Sequence, residues 1–197
     1  MNDEMTWILQ AQHGSDTAFE QIVEAYQTSV FNLCYRMLGE PEAAEDAAQE
    51  TFLRAYQNIL RYDCQRPFAT WLLSIAAHYC IDRLRRRKLN FISMDDDTTS
   101  FDLPDTKALN PEVESVKREE QQRLHALLQS LDETDRAAIV LRYWYDFSEA
   151  EIAQSLSLTV SAVKSRLHRA RRELAELWLE AFPQTNLEGR PYGSPAF

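Results

Sequence analysis

Residues 148–172 have the sequence SEAEIAQSLSLTVSAVKSRLHRARR, and this stretch decides how the chain folds. Ser148 and Glu151 stand at the spacing of a capping box, which predicts the start of a short helix. A turn at Ser157 ends that helix. Beyond it, apolar residues recur every three or four positions and predict the buried face of a second helix: Val163, Leu167, Ala170, Leu174 and Leu177. The stretch therefore predicts a helix-turn-helix.

The second of these helices is strongly basic. No acidic residue interrupts residues 159–172, and the cations lie mostly off the apolar face: Lys164, Arg166, Arg169, Arg171 and Arg172. A charge run alone can be a solvated helix surface. Here it coincides with a compact two-helix unit, which favours contact with DNA. Arg166 and Arg169 project from one side and are predicted to contact bases, whereas the flanking Lys164, Arg171 and Arg172 are predicted to contact phosphates.

The composition predicts an all-α protein. The chain has 197 residues with only 4 Gly and 7 Pro, and it lacks strand-like alternation, which fits one ordinary domain or two small ones. The formal net charge of -10 would repel a polyanion. The basic residues, however, are concentrated at 83–88 and 164–172, whereas acids crowd 40–50, 95–105 and 112–120. We therefore expect weak DNA binding by the chain alone and a larger partner that holds it there.

The pattern divides the chain into four parts. Residues 1–88 are predicted to form one helical domain, and residues 111–181 a second that contains the helix-turn-helix. Residues 89–110 are polar, acidic and poor in helix formers, so they are predicted to be a flexible linker. Residues 182–197 contain several Pro and Gly residues and are predicted to be a disordered tail.

An acidic helix is predicted in the first domain. Gly39 suits the end of a long preceding helix, and Pro41 suits the first position of a new one. Its predicted buried side is Ala44, Ala48, Phe52, Tyr56 and Ile59, and its other side is Glu42, Glu45, Asp46, Gln49 and Glu50. Clustered carboxylates can bind a metal or act as acid and base, but no convergent His or further acid is identifiable. We therefore predict a docking face or a solvated helix end, with no catalytic residue, metal or cofactor.

A further helix over residues 67–88 combines an apolar stripe with a cationic end. Most of its stripe is predicted to be core: Phe68, Trp71, Leu72, Ile75, Ala76, Tyr79 and Leu84. The cations at 83–88 exceed what a helix C-terminus needs for its dipole. Aromatic residues beside such a patch are the parts of a single-stranded nucleic acid site. Trp71 fits core packing and base contact about equally well.

The remaining features predict a cytoplasmic protein. Cys34, Cys64 and Cys80 lie in no CxxC pair and are expected to be reduced thiols. The N-terminus lacks the basic start and apolar stretch of a signal peptide. The longest uncharged run, residues 67–81, is too short and too polar to span a bilayer, so no membrane insertion is expected.

In combination, these features resemble a bacterial sigma factor, and more narrowly the extracytoplasmic-function (ECF) group, which has only regions two and four. The resemblance covers residues 16–179. It rests on EDAAQETFLRAY at 45–56, FATWLLSIAAHYCIDRLRRRK at 68–88 and AVKSRLHRARREL at 162–174. Two departures from the family pattern are Ser157 in place of Gly and Ser161-Ala162 in place of Gly-Thr.

The resemblance implies a role for particular residues. The helix face of Glu45, Asp46, Gln49 and Glu50 matches positions that bind core RNA polymerase. The loop 61–68, with Arg61 and Phe68, matches the segment that captures a flipped base of the minus-ten element. Trp71, His78, Arg85 and Arg86 lie in the adjoining promoter-melting helix, and His78 stands where many members have Asn. The duplex-facing positions of region four are matched by Lys164, Ser165, Arg166, Arg169 and Arg172.

The implied partners are core RNA polymerase, promoter DNA and an anti-sigma factor that occludes both domains. The acidic linker is expected to enter the RNA exit path of the polymerase. The main alternative is a stand-alone helix-turn-helix regulator, which leaves the cationic helix and the acidic face unexplained. Tight, sequence-specific duplex binding without polymerase would favour that alternative. An enzyme acting on nucleic acid would need a metal or nucleophile constellation that the sequence does not contain.

Overall fold

The computed structural model describes residues 3–93 and 122–181, and within these ranges it contains helices and turns but no strand. The predicted all-α class is therefore confirmed. The helices of the first range are α1 (Asp3–Gln12), α2 (Asp16–Leu38), α3 (Pro41–Asn58), a 3-10 turn (Ile59–Arg61) and α4 (Phe68–Ser93). Those of the second range are α5 (122–130), α6 (Glu133–Trp144), α7 (Glu149–Ser155) and α8 (Val160–Ala181).

The predicted linker and tail lie mainly outside the described residues. The linker prediction began too early, because α4 continues as a helix to Ser93 and so includes positions 89–93. The rest of 89–110, the start of the second predicted domain up to position 121, and the tail 182–197 are not described. No helix within the described ranges is long and apolar enough to cross a membrane.

Local signals set both ends of α2, and the end at Gly39 is as predicted. The Ser15 hydroxyl caps its start by accepting a hydrogen bond from the Ala18 amide at 3.3 Å. Gly39 ends it in the left-handed region, with φ of 86°, and donates its amide to the Tyr35 carbonyl at 2.9 Å. A side chain at Gly39 would also meet the Gln129 amide, since an added Cβ would lie 2.9 Å from its Nε2 atom.

The buried face of α3 agrees only in part with the predicted one: Ala44 is buried as predicted, and so is Ile59 just beyond the helix. The structure buries mainly small side chains there: Ala43, Ala44, Ala47, Thr51 and Ala55. Tyr56, which was predicted to be core, is 47% exposed, and its hydroxyl donates to Asp16 Oδ1 at 2.7 Å. Ala48 and Phe52 are only half-buried. The prediction followed the larger aromatic residues, whereas α2 and α4 both pack against α3, and small residues allow that close approach.

The helix-turn-helix is formed by α7 and α8 and confirms the local prediction. Both hydrogen bonds of the capping box are present, from the Glu151 amide to Ser148 Oγ at 3.2 Å and from the Ser148 amide to Glu151 Oε2 at 2.8 Å. Ser157 adopts a φ of 55°, the left-handed conformation that the family's Gly would adopt at lower cost. Val163, Leu167 and Ala170 are buried as predicted.

The N-terminal unit (α1–α4) and the C-terminal unit (α5–α8) pack directly against each other, which the sequence did not predict. Helix α6 contacts α2 and α4, and α7 contacts α4. Arg136 on α6 is only 4% exposed, and its guanidinium donates to the Met37 carbonyl at the end of α2. The Tyr145 hydroxyl donates to the Ser29 carbonyl at 2.6 Å. The two units therefore share a polar and apolar interface in this conformation.

Candidate nucleic-acid interface

The exposed side of α8 presents a row of polar and basic side chains. Lys164, Ser165, His168, Arg171 and Arg172 are all exposed. Four of them, with Glu149 and Leu167, line an open groove of about 600 Å³ between α7 and α8. His168 was not predicted from the sequence, because the prediction considered only charged residues. The helical period could have found it, since His168 lies one turn beyond Lys164 and Ser165.

Arg166 and Arg169, which were predicted to contact bases, are held by one buried carboxylate on α6. The Asp135 side chain is 2% exposed. Its Oδ1 accepts from Arg166 Nη1 at 2.6 Å, and its Oδ2 accepts from Arg169 Nε at 2.9 Å and Nη2 at 2.6 Å. The hydrogen bonds to Asp135 raise the pKa of Arg169 above its ordinary value. The two arginines therefore fix the orientation of α8 on α6 as well as lying beside the exposed row.

The basic residues at the end of α4 contact several different partners. Arg83 pairs with Asp46 on α3 at 3.4 Å, and Arg87 pairs with Glu40 at 3.0 Å. Arg85 Nη2 donates to the Thr134 hydroxyl of the C-terminal unit at 3.2 Å. Arg86 is exposed. The two cations of this helix that were predicted to bind DNA, Arg85 and Arg86, are thus both exposed, and Arg85 also contacts the other unit.

The segment before α4 is built on a buried aromatic cluster. The Tyr62 ring centroid lies 5.1 Å from those of both Phe68 and Trp71. Phe68 is 3% exposed, so in this conformation its ring packs in the core against Tyr62 and Trp71 and does not face solvent. Trp71 is half-buried, which is compatible with both roles left open for it. Burial is the main cause that raises the pKa of Tyr62 to about 12, so its hydroxyl remains a hydrogen-bond donor.

Two other predicted nucleic-acid residues of the N-terminal unit are accessible. Arg61 ends the 3-10 turn and is exposed. His78 is exposed on α4, and its Nδ1 lies 2.9 Å from the Ser74 carbonyl oxygen. Both side chains can therefore reach a bound strand without a change in the core.

The acidic face of α3 is accessible and continues into an apolar strip. Glu45, Asp46 and Gln49 are exposed, whereas Glu50 is half-buried and pairs with Arg54 at 2.7 Å. Three large apolar residues follow the acidic face along the chain and are exposed. Leu53, Tyr56 and Leu60 are 51%, 47% and 74% exposed. Sequence analysis did not identify this apolar extension, because it assigned Tyr56 to the core. No cluster of metal-ligating residues occurs within the described ranges.

Comparison with known proteins gives consistent matches in both units. Family models match residues 22–89 (Sigma-70 region 2) and residues 121–174 (Sigma-70, region 4). The ECF RNA polymerase sigma factor SigW of Bacillus subtilis (strain 168) is 37% identical over 172 residues, which are 85% of this chain and 92% of that protein.

Two solved structures resemble the whole fold. The structure of CnrH, an RNA polymerase sigma factor of Cupriavidus metallidurans, in complex with the cytosolic domain of CnrY has a TM-score of 0.65 at 29% identity. It covers 91% of this chain and 99% of that one. RpoE from Bartonella quintana, solved with the anti-sigma factor NepR, has a TM-score of 0.62 at 21% identity, covering 81% and 96% of the chains, and shows likeness of fold.

These matches, with the helix-turn-helix and the acidic helix face, define a class: RNA polymerase sigma factors that contain regions 2 and 4. Such factors bind core RNA polymerase and recognise promoter DNA. Within that class, the chain belongs to the ECF group. The comparisons do not favour the alternative of a stand-alone regulator.

Proposed function

We propose that the exposed row of α8 recognises the upstream promoter element, and this row is the observation that carries the assignment. Lys164, Ser165 and His168 lie along one side of a helix whose opposite side is buried in the unit. A helix presented in this way can enter the major groove, where base edges are read. Asp135 holds the helix in register through Arg166 and Arg169, and Arg171 and Arg172 lie at the flank, where they suit phosphate contacts.

In the N-terminal unit, the loop before α4 and the exposed side of α4 hold the separated non-template strand. Arg61, His78 and Arg86 are accessible, and Trp71 is half-buried, so part of its ring is also accessible. Cations neutralise the strand's phosphates, while an aromatic face can stack on an unpaired base. Arg85 joins this surface once its contact with Thr134 is broken.

The face of Glu45, Asp46 and Gln49, with Glu50 at its edge, docks on core RNA polymerase. Its carboxylates fit a basic partner surface, and the adjoining Leu53 and Leu60 supply apolar area that solvent now covers. The chain has no catalytic activity of its own in this proposal, since the polymerase performs the chemistry. It therefore acts in the cytoplasm, where core polymerase and the chromosome meet.

An anti-sigma factor regulates the chain in this proposal. The similar CnrH was solved in complex with the cytosolic domain of CnrY, so a protein of this fold can bind a protein partner. The described residues contain exposed apolar side chains in both units, such as Leu60 and Trp178, that a partner could cover.

The decisive experiment is transcription in vitro with core polymerase on a library of randomised promoters. We expect transcripts that depend on the chain and share an upstream and a minus-ten element. The matched control is duplex binding by the chain without polymerase, which should be weak because the net charge is -10. Tight, sequence-specific duplex binding with no polymerase-dependent transcription would overturn the proposal in favour of a stand-alone regulator.

A further inference from the structure

Gln12 is the last residue of α1. Both the nitrogen and the oxygen of its side-chain amide form hydrogen bonds with the segment before α4. Its Nε2 donates to the Ile59 carbonyl at 2.9 Å and to the Tyr62 carbonyl at 3.0 Å. Its Oε1 accepts from Cys64 Sγ at 3.6 Å. These partners lie 47, 50 and 52 positions away in sequence, so a residue of the first helix organises a distant loop.

The two carbonyls bonded by Gln12 mark the ends of the 3-10 turn that leads into this loop. The Tyr62 amide closes the turn on the Ile59 carbonyl at 3.1 Å, which leaves an acceptor position of Ile59 for Gln12. A carbonyl oxygen can accept two hydrogen bonds, so both are satisfied together. The Gln12 amide therefore ties the turn to α1.

Apart from the Arg66 guanidinium, which donates to the Gln154 side-chain oxygen on α7 at 2.8 Å, the loop 62–67 is otherwise held by short-range contacts. The Arg66 amide donates to the Asp63 carbonyl at 3.0 Å, and the Gln65 amide donates to Asp63 Oδ1 at 3.0 Å. The Tyr62 hydroxyl donates to the Arg66 carbonyl. These bonds shape the tip of the loop, but they do not attach it to the rest of the unit. Gln12 and the packing of Tyr62 make that attachment.

We infer that Gln12 is a positioning residue that holds the loop 62–67 in the conformation that binds an unpaired promoter base. The inference rests on the proposed function, in which this loop and the adjoining α4 hold the non-template strand. If only a fraction of the molecules held the loop in the binding conformation, the observed affinity would equal the intrinsic affinity multiplied by that fraction. Two hydrogen bonds of ordinary net strength are enough to change that population about tenfold.

The core of α1 does not depend on this amide. Ile8 and Ala11 make the buried contacts of the helix, at 1% and 5% exposure, whereas Gln12 is half-buried at its end. Removal of the amide should therefore loosen the loop while the unit remains folded. A purely structural role would instead lower the unfolding midpoint and leave strand binding by the folded protein unchanged.

The test compares Gln12→Glu with Gln10→Glu in the full chain bound to core polymerase. Gln12→Glu keeps the size of the side chain but replaces both donors with a carboxylate oxygen facing two carbonyls. Gln10 is exposed on the same helix, so Gln10→Glu introduces the same charge without touching the loop. A third variant, Gln12→Met, removes the donors without adding charge and serves if the carboxylate prevents folding.

The first measurement is the affinity of each holoenzyme for a fluorescent single-stranded oligonucleotide carrying the selected minus-ten sequence. We expect about tenfold weaker binding with Gln12→Glu or Gln12→Met and less than about twofold change with Gln10→Glu. Affinity for core polymerase should stay within about twofold in all three. Equal oligonucleotide affinity of the Gln12 variants and the wild type would overturn the inference.

The second measurement needs no DNA. Cys34 and Cys80 are 0% exposed and Cys64 is half-buried, so a thiol reagent reports on Cys64 in the loop. Cys64 should react several times faster in the Gln12 variants than in the Gln10 control, and unchanged reactivity would also count against the inference. If the wild-type holoenzyme does not distinguish the minus-ten oligonucleotide from a scrambled one, the proposed function itself fails, and that outcome is distinct from a failure of Gln12 alone.

Discussion

At the scale of single residues, Asp135 is the clearest case of a side chain whose role depends on distant partners. Its carboxylate is nearly inaccessible and accepts three hydrogen bonds from two arginines that lie 31 and 34 positions later. A buried carboxylate without such partners would be costly, so the two arginines and the acid stabilise one another. The arrangement also sets the orientation of α8 on α6.

Asp135→Asn should lower the free energy of unfolding by about 2 kcal/mol, because charge-assisted hydrogen bonds in a buried position are lost. Urea unfolding of the full chain measures this as a lower midpoint at an unchanged slope. Glu176→Gln is the control, since Glu176 pairs with Arg172 where both side chains are mostly exposed, and its effect should stay below about 0.5 kcal/mol. Equal midpoints for the two variants would contradict the role given to Asp135.

Arg166→Ala and Arg172→Ala should differ in kind. The Arg166 side chain is 29% exposed and anchored on Asp135, so its loss should reduce stability and, because α8 is then held less firmly in register, relax the base preference of the upstream element. The Arg172 side chain is 71% exposed, so its loss should weaken all promoters about equally and reduce the salt slope by about one. Binding of each holoenzyme to a randomised upstream element measures both effects. The same uniform loss from both substitutions would remove this distinction.

At the scale of secondary-structure elements, α7 depends on a capping box that is also sensitive to pH. Hydrogen bonds from the Ser148 hydroxyl and amide lower the pKa of Glu151 below its ordinary value of 4.5. The group has a lowered pKa in the folded state, so its stabilising contribution is present above the unfolded pKa and is lost as pH falls through the folded one.

Glu151→Gln should therefore destabilise the chain more at pH 7 than at pH 4. The difference at pH 7 should be at most about 1 kcal/mol, the usual value of a helix cap, because Glu151 is largely solvated. Unfolding by urea at the two pH values measures it. As a control, Glu20→Gln on the exposed side of α2 should leave the urea midpoint at pH 7 nearly unchanged. An effect of Glu151→Gln that did not vary with pH would show that the charge of Glu151 is unimportant.

The acidic face of α3 is a second property of an element rather than of one residue. Replacing Asp46 and Glu50 by Lys should weaken binding to core polymerase at least about tenfold, because like charges would then meet across the interface. Pull-down of core polymerase measures the affinity, and circular dichroism should show unchanged helical content. Glu20→Lys, on the exposed side of α2, is the matched charge control. Unchanged affinity of the double variant would remove the docking assignment.

At the scale of the whole molecule, the two units are packed together although their proposed sites address separate promoter elements. The contact uses Tyr145 with Ser29 and Arg85 with Thr134. Arg36 also lies over the Trp144 ring, with 5.0 Å between the guanidinium carbon and the ring centroid. Burial is the main cause that raises the pKa of Tyr145 to about 12, so its hydroxyl remains a donor at neutral pH. We expect the units to separate on the promoter, because Arg85 can join the strand-binding surface only when its contact with Thr134 is broken.

The separation can be measured by energy transfer between two dyes, attached at Gln57→Cys and Ala150→Cys in a chain that also carries Cys64→Ser. We expect high transfer in the free chain and lower transfer when core polymerase and promoter are added. Both labelled positions are exposed, and the remaining cysteines are buried. Tyr145→Phe should shift the free chain towards the separated state by about fivefold, since one hydrogen bond is lost. Transfer that stayed constant through all these changes would show that the packed arrangement persists on the promoter.

Local sequence signals showed where several helices begin or end, although they did not show that α4 continues to Ser93. Gly39, Pro41 and the Ser148 capping box were all identified correctly, and Ser157 was correctly placed in a turn. These signals could be recognised because each acts on backbone hydrogen bonds or dihedral angles within a few residues. The family motifs could be recognised for a similar reason, since each lies on one element.

Only the tertiary structure decided which side of α3 is buried, what holds Arg166 and Arg169, and what Gln12 contacts. Each depends on atoms contributed by elements that are far apart in sequence, such as Asp135 for the arginines and Ile59 for Gln12. The periodicity of one helix shows that a face is apolar, but not how closely a neighbour approaches. The packing of the two units could not be predicted for the same reason. Side chains such as Tyr145 bond to backbone carbonyls of the other unit, and every residue has such a carbonyl whatever its side chain.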